Sequence, residues 1–234
     1  MLRERIWHIM EQLNIADFPR PVYGRIPNFK GARDAAQKLF KLREWQKASV
    51  VKSNPDAPQH YVRYQALQEG KILVMASPRL RNGFLLLDPR KIPSSKYAYS
   101  VTIKGAFLYG RRVSLSEIPP IDLVITGCVA VNTQGRRLGK GGGYSELEYG
   151  ILAELGLITS STPIVTTVHD VQVVQDYIPL EVHDLTVDYY ATPTRLVEVQ
   201  PRGYKPKGIY WDLLKPEHRE LNVIKELMKL KNMQ

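Results

Sequence analysis

The sequence predicts an α/β fold with a mostly parallel sheet and helices on both of its faces. Short apolar runs rich in β-branched residues recur along the chain, as is typical of strands buried on both faces. Segments with apolar residues three or four positions apart lie between these runs, and this alternation indicates βαβ units. The predicted strands are residues 48–51, 72–75, 84–87, 123–125 and 164–168.

The segments between the strands have the spacing of amphipathic helices. The first, residues 2–13, places Leu2, Ile6, Ile9 and Leu13 on one face. The other predicted helices are residues 32–45, 59–68 and 147–155 and a C-terminal helix at about 216–231. Ligands of open α/β sheets bind at the carboxyl ends of the strands, so a site is expected at that edge.

Length and composition predict one globular domain over residues 1–234, with 44% apolar and 24% charged residues. No stretch approaches the roughly 18 consecutive apolar residues of a membrane span. Charged residues from Arg3 to Glu11 interrupt any signal-peptide core. The single cysteine, Cys128, excludes an internal disulfide and a multi-cysteine metal site. A cytoplasmic protein with no membrane partner is expected, and its oligomeric state stays open.

The net charge of +10 is unevenly distributed. Residues 1–112 hold 21 Lys and Arg against 8 Asp and Glu, residues 113–200 hold 4 against 11, and residues 201–234 hold 8 against 4. This basic excess indicates a partner rich in phosphate or carboxylate, such as nucleic acid, a nucleoside triphosphate or an acidic small molecule, with a lysine-rich solubilising surface as the alternative. The acidic middle argues against a uniform nucleic-acid surface and favours a phosphate site lined by both signs of charge.

The most distinctive segment is GRRLGKGGGY, residues 135–144, just before the predicted helix 147–155. Its glycines let backbone N–H groups approach an anion, the helix N-terminus adds partial positive charge, and Arg136, Arg137 and Lys140 add full charges. The segment therefore predicts a phosphate-binding loop, with a flexible surface hairpin as the structural alternative. It matches neither the Walker A motif nor GxGxxG.

Acidic residues near and beyond this loop allow structural or metal-binding roles. Ser145 and Glu148 have the spacing of a capping box. Glu146 in the first helical turn either complements the helix dipole or, beside a triphosphate, binds Mg²⁺. Asp184 and Asp188 share one face of a predicted extended segment, roughly 13 Å apart at about 3.3 Å per residue, so only one of them can ligate a given ion.

Three longer segments, in order and spacing, resemble the 5-formyltetrahydrofolate cyclo-ligase (methenyltetrahydrofolate synthetase) family. They are IPPIDLVITGCVAVNTQGRRLGKGGGY (118–144), PIVTTVHD (163–170) and IPLEVHDLTVD (178–188). The N-terminal half is most similar to the methenyltetrahydrofolate synthetase domain-containing branch, through RERIW (3–7), ADFPRPV (16–22) and RIPNFKGA (25–32). Animal members of that branch carry an added RNA-recognition domain.

The resemblance implies a three-layer α/β/α fold of the NagB/RpiA/CoA-transferase type and an ATP- and Mg²⁺-dependent ligase. In the family reaction, ATP phosphorylates the formyl oxygen of 5-formyltetrahydrofolate, N10 attacks the resulting iminium phosphate, and phosphate leaves to give 5,10-methenyltetrahydrofolate. Such chemistry needs positioning and charge neutralisation rather than a protein nucleophile. The implied partners are ATP and a reduced folate or related pterin. A non-catalytic nucleotide- or RNA-binding protein is the alternative, with RNA the second choice.

Matching the chain to the family motif assigns roles to individual residues. Arg137 and Lys140 are the implied catalytic residues, and Tyr144 is implied to border the folate pocket. Glu146 takes the position of the Mg²⁺-binding aspartate and Asp184 that of a second acid on the metal side, which favours the metal interpretation of Glu146. The implied phosphate-binding residues are Arg3, Arg137, Gly139, Lys140, Gly141, Gly142 and Gly143.

The sequence also departs from the family pattern. Ser145 replaces the second tyrosine of the family's GYYD ending, and Glu146 is one methylene longer than the family aspartate. Where the synthetases usually place a pterin-binding glutamate, this chain has Asn54, Asp56 and Gln59. Asp56 is the expected substrate-binding residue of these three. The departures leave open a different pterin or formylated substrate, or a loss of catalysis.

Overall fold

The structure, a computed structural model, describes residues 1–232. Its strands are short, with two to five residues each. They are β1 (Val50–Ser53), β2 (Ile72–Ala76), β3 (Phe84–Leu87), β4 (Arg111–Val113), β5 (Leu123–Ile125), β6 (Ala130–Asn132), β7 (Arg137–Leu138), β8 (Ile164–Thr167), β9 (Val173–Val174), β10 (Tyr189–Ala191) and β11 (Leu196–Glu198).

In the described residues these strands form an eight-stranded sheet, ordered β11-β10-β8-β5-β1-β2-β3-β4, and a three-stranded sheet, ordered β7-β6-β9. The five central strands β10, β8, β5, β1 and β2 run parallel, whereas β11 at one edge and β3 and β4 at the other pair antiparallel. In register, Val51 of β1 lies between Leu73 of β2 and Leu123 of β5. The predicted mostly parallel α/β class is confirmed.

Helices cover both faces of the large sheet. They are α1 (Leu2–Gln12), α2 (Ala32–Leu39), α3 (Arg43–Lys47), α4 (His60–Gln68), α5 (Tyr97–Ser100), α6 (Ile103–Tyr109), α7 (Tyr144–Glu154), α8 (Pro216–Arg219) and α9 (Asn222–Asn232). None of the helices within residues 1–232 combines the length and the apolar character that crossing a bilayer requires.

Alternation along the central strands divides the apolar side chains between two cores. Val51 and Leu123 belong to a core with residues of α2, α3 and α4. Val124 and Ile164 belong to the opposite core, which contains residues of α7 and α9. Because successive side chains of a strand point to opposite faces, this division gives three layers, α/β/α. The N-terminal helix α1 packs separately, against the three-stranded sheet.

Two predicted helices are interrupted. The segment 32–45 divides into α2 and α3, and the turn between them brings the rings of Phe40 and Trp45 to 4.8 Å. Trp45 is thereby buried in the core beside α2 and α4, so tertiary packing outweighs the helical periodicity. The predicted C-terminal helix 216–231 is likewise two helices, α8 and α9, and Leu221 between them packs on the core.

Gly105 lies where α6 comes closest to α5. A Cβ atom there would lie 1.8 Å from the carbonyl oxygen of Tyr99 and 2.4 Å from its carbonyl carbon, main-chain atoms that cannot rotate away. We expect Gly105→Ala to lower the free energy of unfolding by about 1–3 kcal/mol, the usual cost of overpacking. Urea denaturation measures this loss. The exposed neighbour Lys104→Ala is the control, and equal stability of the two variants would contradict the close approach.

Candidate functional site

A cavity of about 750 Å³ lies beyond the carboxyl end of β1. Its walls come from the start of α1, from the glycine-rich loop between β7 and α7, from the segment 177–184 and from the C-terminal region near residue 215. The residues to which the family motif assigns a role, together with Asp56, all line this cavity, namely Arg3, Asp56, Arg137, Gly139, Lys140, Gly141, Gly142, Gly143, Tyr144, Glu146 and Asp184. Residues far apart in the chain therefore meet at one edge of the sheet.

The glycine-rich loop follows the β6–β7 hairpin and leads directly into α7. The φ angles of Gly141 and Gly143 are 101° and 75°, which L side chains rarely adopt. Gly143 is the N-cap of α7, and within the described residues no side chain caps this first turn. The N–H groups in the first turn of α7, together with the helix dipole, therefore form a place where an anion can bind.

Ser145 and Glu148 do not form the predicted capping box. Because α7 already begins at Tyr144, both residues lie inside the helix. Glu148 is 3% exposed and accepts hydrogen bonds from the ammonium group of Lys52 and, at 2.8 Å, from the amide nitrogen of Asn54. A buried ion pair rather than a helix cap therefore explains this carboxylate.

Two basic side chains hold the loop from either side. The Lys140 ammonium group donates to Oδ1 of Asp56 at 3.3 Å and so joins the loop to the segment after β1. The Arg3 side chain donates from Nε to the carbonyl oxygen of Gly139 at 2.6 Å and so joins the loop to α1. Both contacts lie at the cavity wall, which places two cations beside the backbone of the loop.

Arg137 is the most deeply buried of the Lys and Arg residues that line the cavity, at 7% exposure. Its guanidinium pairs with the carboxylate of Glu146 and donates from Nη1 to the carbonyl oxygen of Gly127 at 3.2 Å. These contacts join β7, the first turn of α7 and the segment after β5. The Nε of Arg137 is buried without a hydrogen-bond partner among the described residues, which leaves one donor for an oxygen ligand.

A buried polar layer supports the segment that carries Asp56. Lys52, at 2% exposure, pairs with Glu148; burial raises the pKa of Glu148, and the Lys52 ammonium opposes that rise. Arg63 on α4 donates to the carbonyl oxygens of Asn54 and Asp56 at 2.7 and 2.8 Å. Burial lowers the pKa of Arg63 to about 10, so the guanidinium stays charged at neutral pH. Sequence reasoning did not identify Lys52 or Arg63.

The chain beyond β11 folds back over the same cavity. The ammonium group of Lys215 donates to the carbonyl oxygen of Gly141 at 3.3 Å, and Lys215 lines the wall. His218 is 4% exposed, its ring lies 4.8 Å from that of Tyr144, and burial lowers its pKa, so the imidazole is neutral at neutral pH. Sequence reasoning missed both residues because 74 positions separate Lys215 from Gly141.

Asp184 and Asp188 have different surroundings. Residues 184–188 lie outside the strands, and β10 begins only at Tyr189. Asp188 is fully buried and pairs with the ammonium group of Lys205 at 2.7 Å, which removes it as a metal ligand. Asp184 lines the cavity, where its Oδ2 accepts the N–H of Glu181 at 2.8 Å.

Glu146 and Asp184 are the acids that the sequence assigns to Mg²⁺, and they line one cavity without forming a complete cage. Among the described residues no group of three or more His, Cys, Asp or Glu side chains could hold a metal. Mg²⁺ commonly binds one or two carboxylates together with water and substrate phosphates. Two acids beside a glycine-rich loop therefore fit an ion that arrives bound to a nucleotide.

Fold and site together define a three-layer α/β/α protein with a glycine-rich loop at a cavity beyond its sheet. Residues 1–193 match the model of the 5-formyltetrahydrofolate cyclo-ligase family. The chain belongs to this family, which confirms the resemblance seen in the sequence. The matched residues include the loop and both acids, whereas Lys215 and His218 lie beyond the match.

Relatives and solved structures agree with this assignment. The chain is 44% identical over 221 residues to the methenyltetrahydrofolate synthase domain-containing protein of Bos taurus, covering 92% of this chain and 58% of that protein. It is 42% identical over 215 residues to the methenyltetrahydrofolate synthase domain-containing protein of Homo sapiens, covering 90% of this chain and 56% of that protein. The chain thus spans less than two thirds of these relatives.

The NMR structure of Aquifex aeolicus 5,10-methenyltetrahydrofolate synthetase is similar in fold. It superposes with a TM-score of 0.53 at 19% identity and covers 87% of this chain and 96% of that one. At this level of identity the similarity concerns the fold alone, which it confirms.

Proposed function

We propose that this protein cyclises 5-formyltetrahydrofolate, or a related reduced pterin, to the 5,10-methenyl form in a reaction that requires ATP and Mg²⁺. Membership of the cyclo-ligase family supports the general reaction. One observation carries the proposal for this chain: a glycine-rich loop, its lysine and two carboxylates converge on a cavity of about 750 Å³. This size suits two bound substrates better than a single small anion.

In the proposed reaction the formyl oxygen attacks the γ-phosphorus of ATP, and ADP leaves. N10 then attacks the carbon of the iminium phosphate and loses its proton, and inorganic phosphate departs. Negative charge moves between phosphoryl oxygens in both steps, so cations and N–H groups fixed around them lower the barrier. No protein nucleophile is needed, which agrees with the buried Cys128, whose pKa burial raises to about 11.

The phosphate chain of ATP would lie along residues 139–143. Their N–H groups would donate hydrogen bonds to the phosphate oxygens, and Lys140 would neutralise charge on the transferred phosphoryl group. Arg3 would reach the same chain from α1, since its guanidinium already contacts Gly139. Arg137 would act from beneath the loop through its unpaired Nε. These roles use fixed groups, which is how an enzyme stabilises charge that develops in the transition state.

Glu146 and Asp184 would hold Mg²⁺ against the nucleotide. The chemistry supplied by a bound ion would be neutralisation of negative charge on the phosphates. The carboxylate of Glu146 forms an ion pair with Arg137, so the position of this carboxylate is set before any ion binds. The longer Glu side chain keeps the oxygen donors that Mg²⁺ prefers.

The reduced pterin would lie between Tyr144 and Asp56. The ring of Tyr144, supported by His218 at 4.8 Å, offers an apolar face for a planar heterocycle. The carboxylate of Asp56 can accept hydrogen bonds from the amino and N3–H groups of a pterin. The pair that Asp56 makes with Lys140 at 3.3 Å sets the two substrates side by side.

A spectrophotometric assay tests the proposal. Purified protein, 5-formyltetrahydrofolate, ATP and Mg²⁺ should give the absorbance of the methenyl product, and omission of ATP or addition of excess EDTA should abolish the rate. ADP should form in a 1:1 ratio with product. ATP binding in calorimetry without product from any reduced folate would contradict the proposed substrate, and absence of both binding and turnover would contradict the proposed function as a whole.

A further inference from the structure

Lys215 reaches the phosphate loop from a part of the chain that the family model does not match. The match ends at residue 193, and Lys215 is the N-cap of α8. Its ammonium nitrogen lies 3.3 Å from the carbonyl oxygen of Gly141 and 4.0 Å from the place that a Cβ of Gly143 would occupy. This cation therefore lies directly over the glycine run.

The ion pairs of the cavity distinguish Lys215 from Lys140 and Arg137, two of the predicted phosphate ligands. Lys140 pairs with Asp56, and Arg137 pairs with Glu146, so a carboxylate already offsets each of these positive charges. In residues 1–232 no carboxylate oxygen lies within ion-pair distance of the Lys215 ammonium, whose protein contact is a carbonyl oxygen. An uncompensated cation over anion-binding N–H groups attracts phosphate strongly.

The segment that carries Lys215 is held in place by its own contacts. Arg219 donates to the carbonyl oxygens of Trp211 and Leu214, which closes the turn before α8. Three residues after Lys215, His218 is 4% exposed and packs on Tyr144 at the start of α7. The main chain at Lys215 is therefore fixed relative to the loop, and a fixed cation binds an anion at a lower entropic cost than a mobile one.

We infer that Lys215 is a direct ligand of the ATP phosphates and that the segment 211–219 completes the nucleotide site. This inference rests on the proposed ATP-dependent function and adds a residue to it. On nucleotide binding the ammonium group exchanges the carbonyl oxygen of Gly141 for a phosphate oxygen. Charge-assisted hydrogen bonds are the stronger ones, so the exchange is favourable.

The test compares Lys215→Met, which keeps the length of the side chain without its charge, with Lys215→Arg, which keeps the charge. We expect Lys215→Met to raise the Kd for Mg·ATP in calorimetry, and the KM for ATP, by about tenfold or more, as loss of one charged hydrogen bond does. Lys215→Arg should recover most of this loss. The KM for the folate should stay within about twofold, because no folate contact is removed.

Lys229→Met on α9 is the matched control, since it removes the same charge from an exposed position outside the cavity. Its ATP affinity should equal that of the wild-type protein. Equal ATP affinity of Lys215→Met and wild type would overturn the inference and leave the proposed function intact. A wild-type protein that binds no ATP would overturn the proposed function and the inference together. Circular dichroism and thermal unfolding of Lys215→Met show whether the variant is folded.

Discussion

Replacing Lys140 by alanine is expected to lower kcat/KM of the proposed ATP-dependent cyclisation at least about 100-fold, the usual effect of removing one group that stabilises transition-state charge. Lys140 lines the cavity within the glycine-rich loop, and its ammonium group is anchored by Asp56 at 3.3 Å. Most of the loss should be in kcat rather than in the KM for ATP, because charge on the transferred group grows in the transition state. Initial rates of methenyl absorbance measure both constants.

The control for this loss is Lys41→Ala, which removes an exposed cation that does not line the cavity. Its rate should match the wild type, and Lys140→Arg should retain part of the activity because it keeps the charge. An unchanged kcat in Lys140→Ala would exclude the loop lysine from the chemical step. A change confined to the KM for ATP would reduce Lys140 to a binding residue.

Replacing Lys52 by methionine is expected to lower the free energy of unfolding by about 3–5 kcal/mol, the loss seen when one partner of a buried ion pair is removed. Lys52 and Glu148 are 2% and 3% exposed, so neither charge can be solvated once its partner is gone. Burial already raises the pKa of Glu148, and loss of the Lys52 ammonium removes a group that opposes this rise. Guanidinium denaturation at pH 7.5 measures the loss.

A double variant separates the ion pair from simple packing. Lys52→Met combined with Glu148→Leu removes both charges and should recover most of the stability, because paired buried charges can be replaced by apolar residues at little cost. The amide of Asn54 loses an acceptor in this variant, so recovery need not be complete. If the double variant were as unstable as Lys52→Met alone, the buried charge of Glu148 would not be the cause.

The sequence predicts the centre of the sheet because strands such as β1, β5 and β8 are buried along their whole length. Each of them contains a run of apolar residues, at 50–51, 123–125 and 164–165, and such runs are visible without any partner. The edges are not predicted. Strand β4 has only three residues, two of them exposed arginines, and β11 has none that is fully buried. Pairing with a neighbour, not local pattern, makes these segments strands.

The candidate site likewise has a part that the local sequence predicts and a part that it does not. Residues 135–144 predict a phosphate loop because glycines and cations are close in sequence, and their chemistry needs no distant partner. The ion pair of Lys52 with Glu148 joins residues 96 positions apart, and the contact of Lys215 with Gly141 joins residues 74 apart. Such pairs exist only after folding. The predicted capping box is the opposite case. Ser145 and Glu148 have the right spacing for a cap, but Glu148 instead forms a buried ion pair with Lys52.

The uneven charge of the chain has a structural counterpart at the cavity. Arg3 comes from the basic N-terminal part, Glu146 and Asp184 from the acidic middle, and Lys215 from the basic C-terminal part. Folding brings both signs of charge to one wall, which suits a nucleotide that binds together with a divalent cation.

Transfer of the formyl oxygen to phosphate tests the proposed chemistry most directly. The substrate is prepared with ¹⁸O in the formyl group, turned over with ATP and Mg²⁺, and the released inorganic phosphate is examined by mass spectrometry or ³¹P NMR. One ¹⁸O atom per phosphate is expected, because the phosphorylated formyl oxygen leaves as part of the phosphate. Unlabelled phosphate formed together with the methenyl product would show that ATP is hydrolysed apart from the formyl group and would contradict phosphoryl transfer at this site.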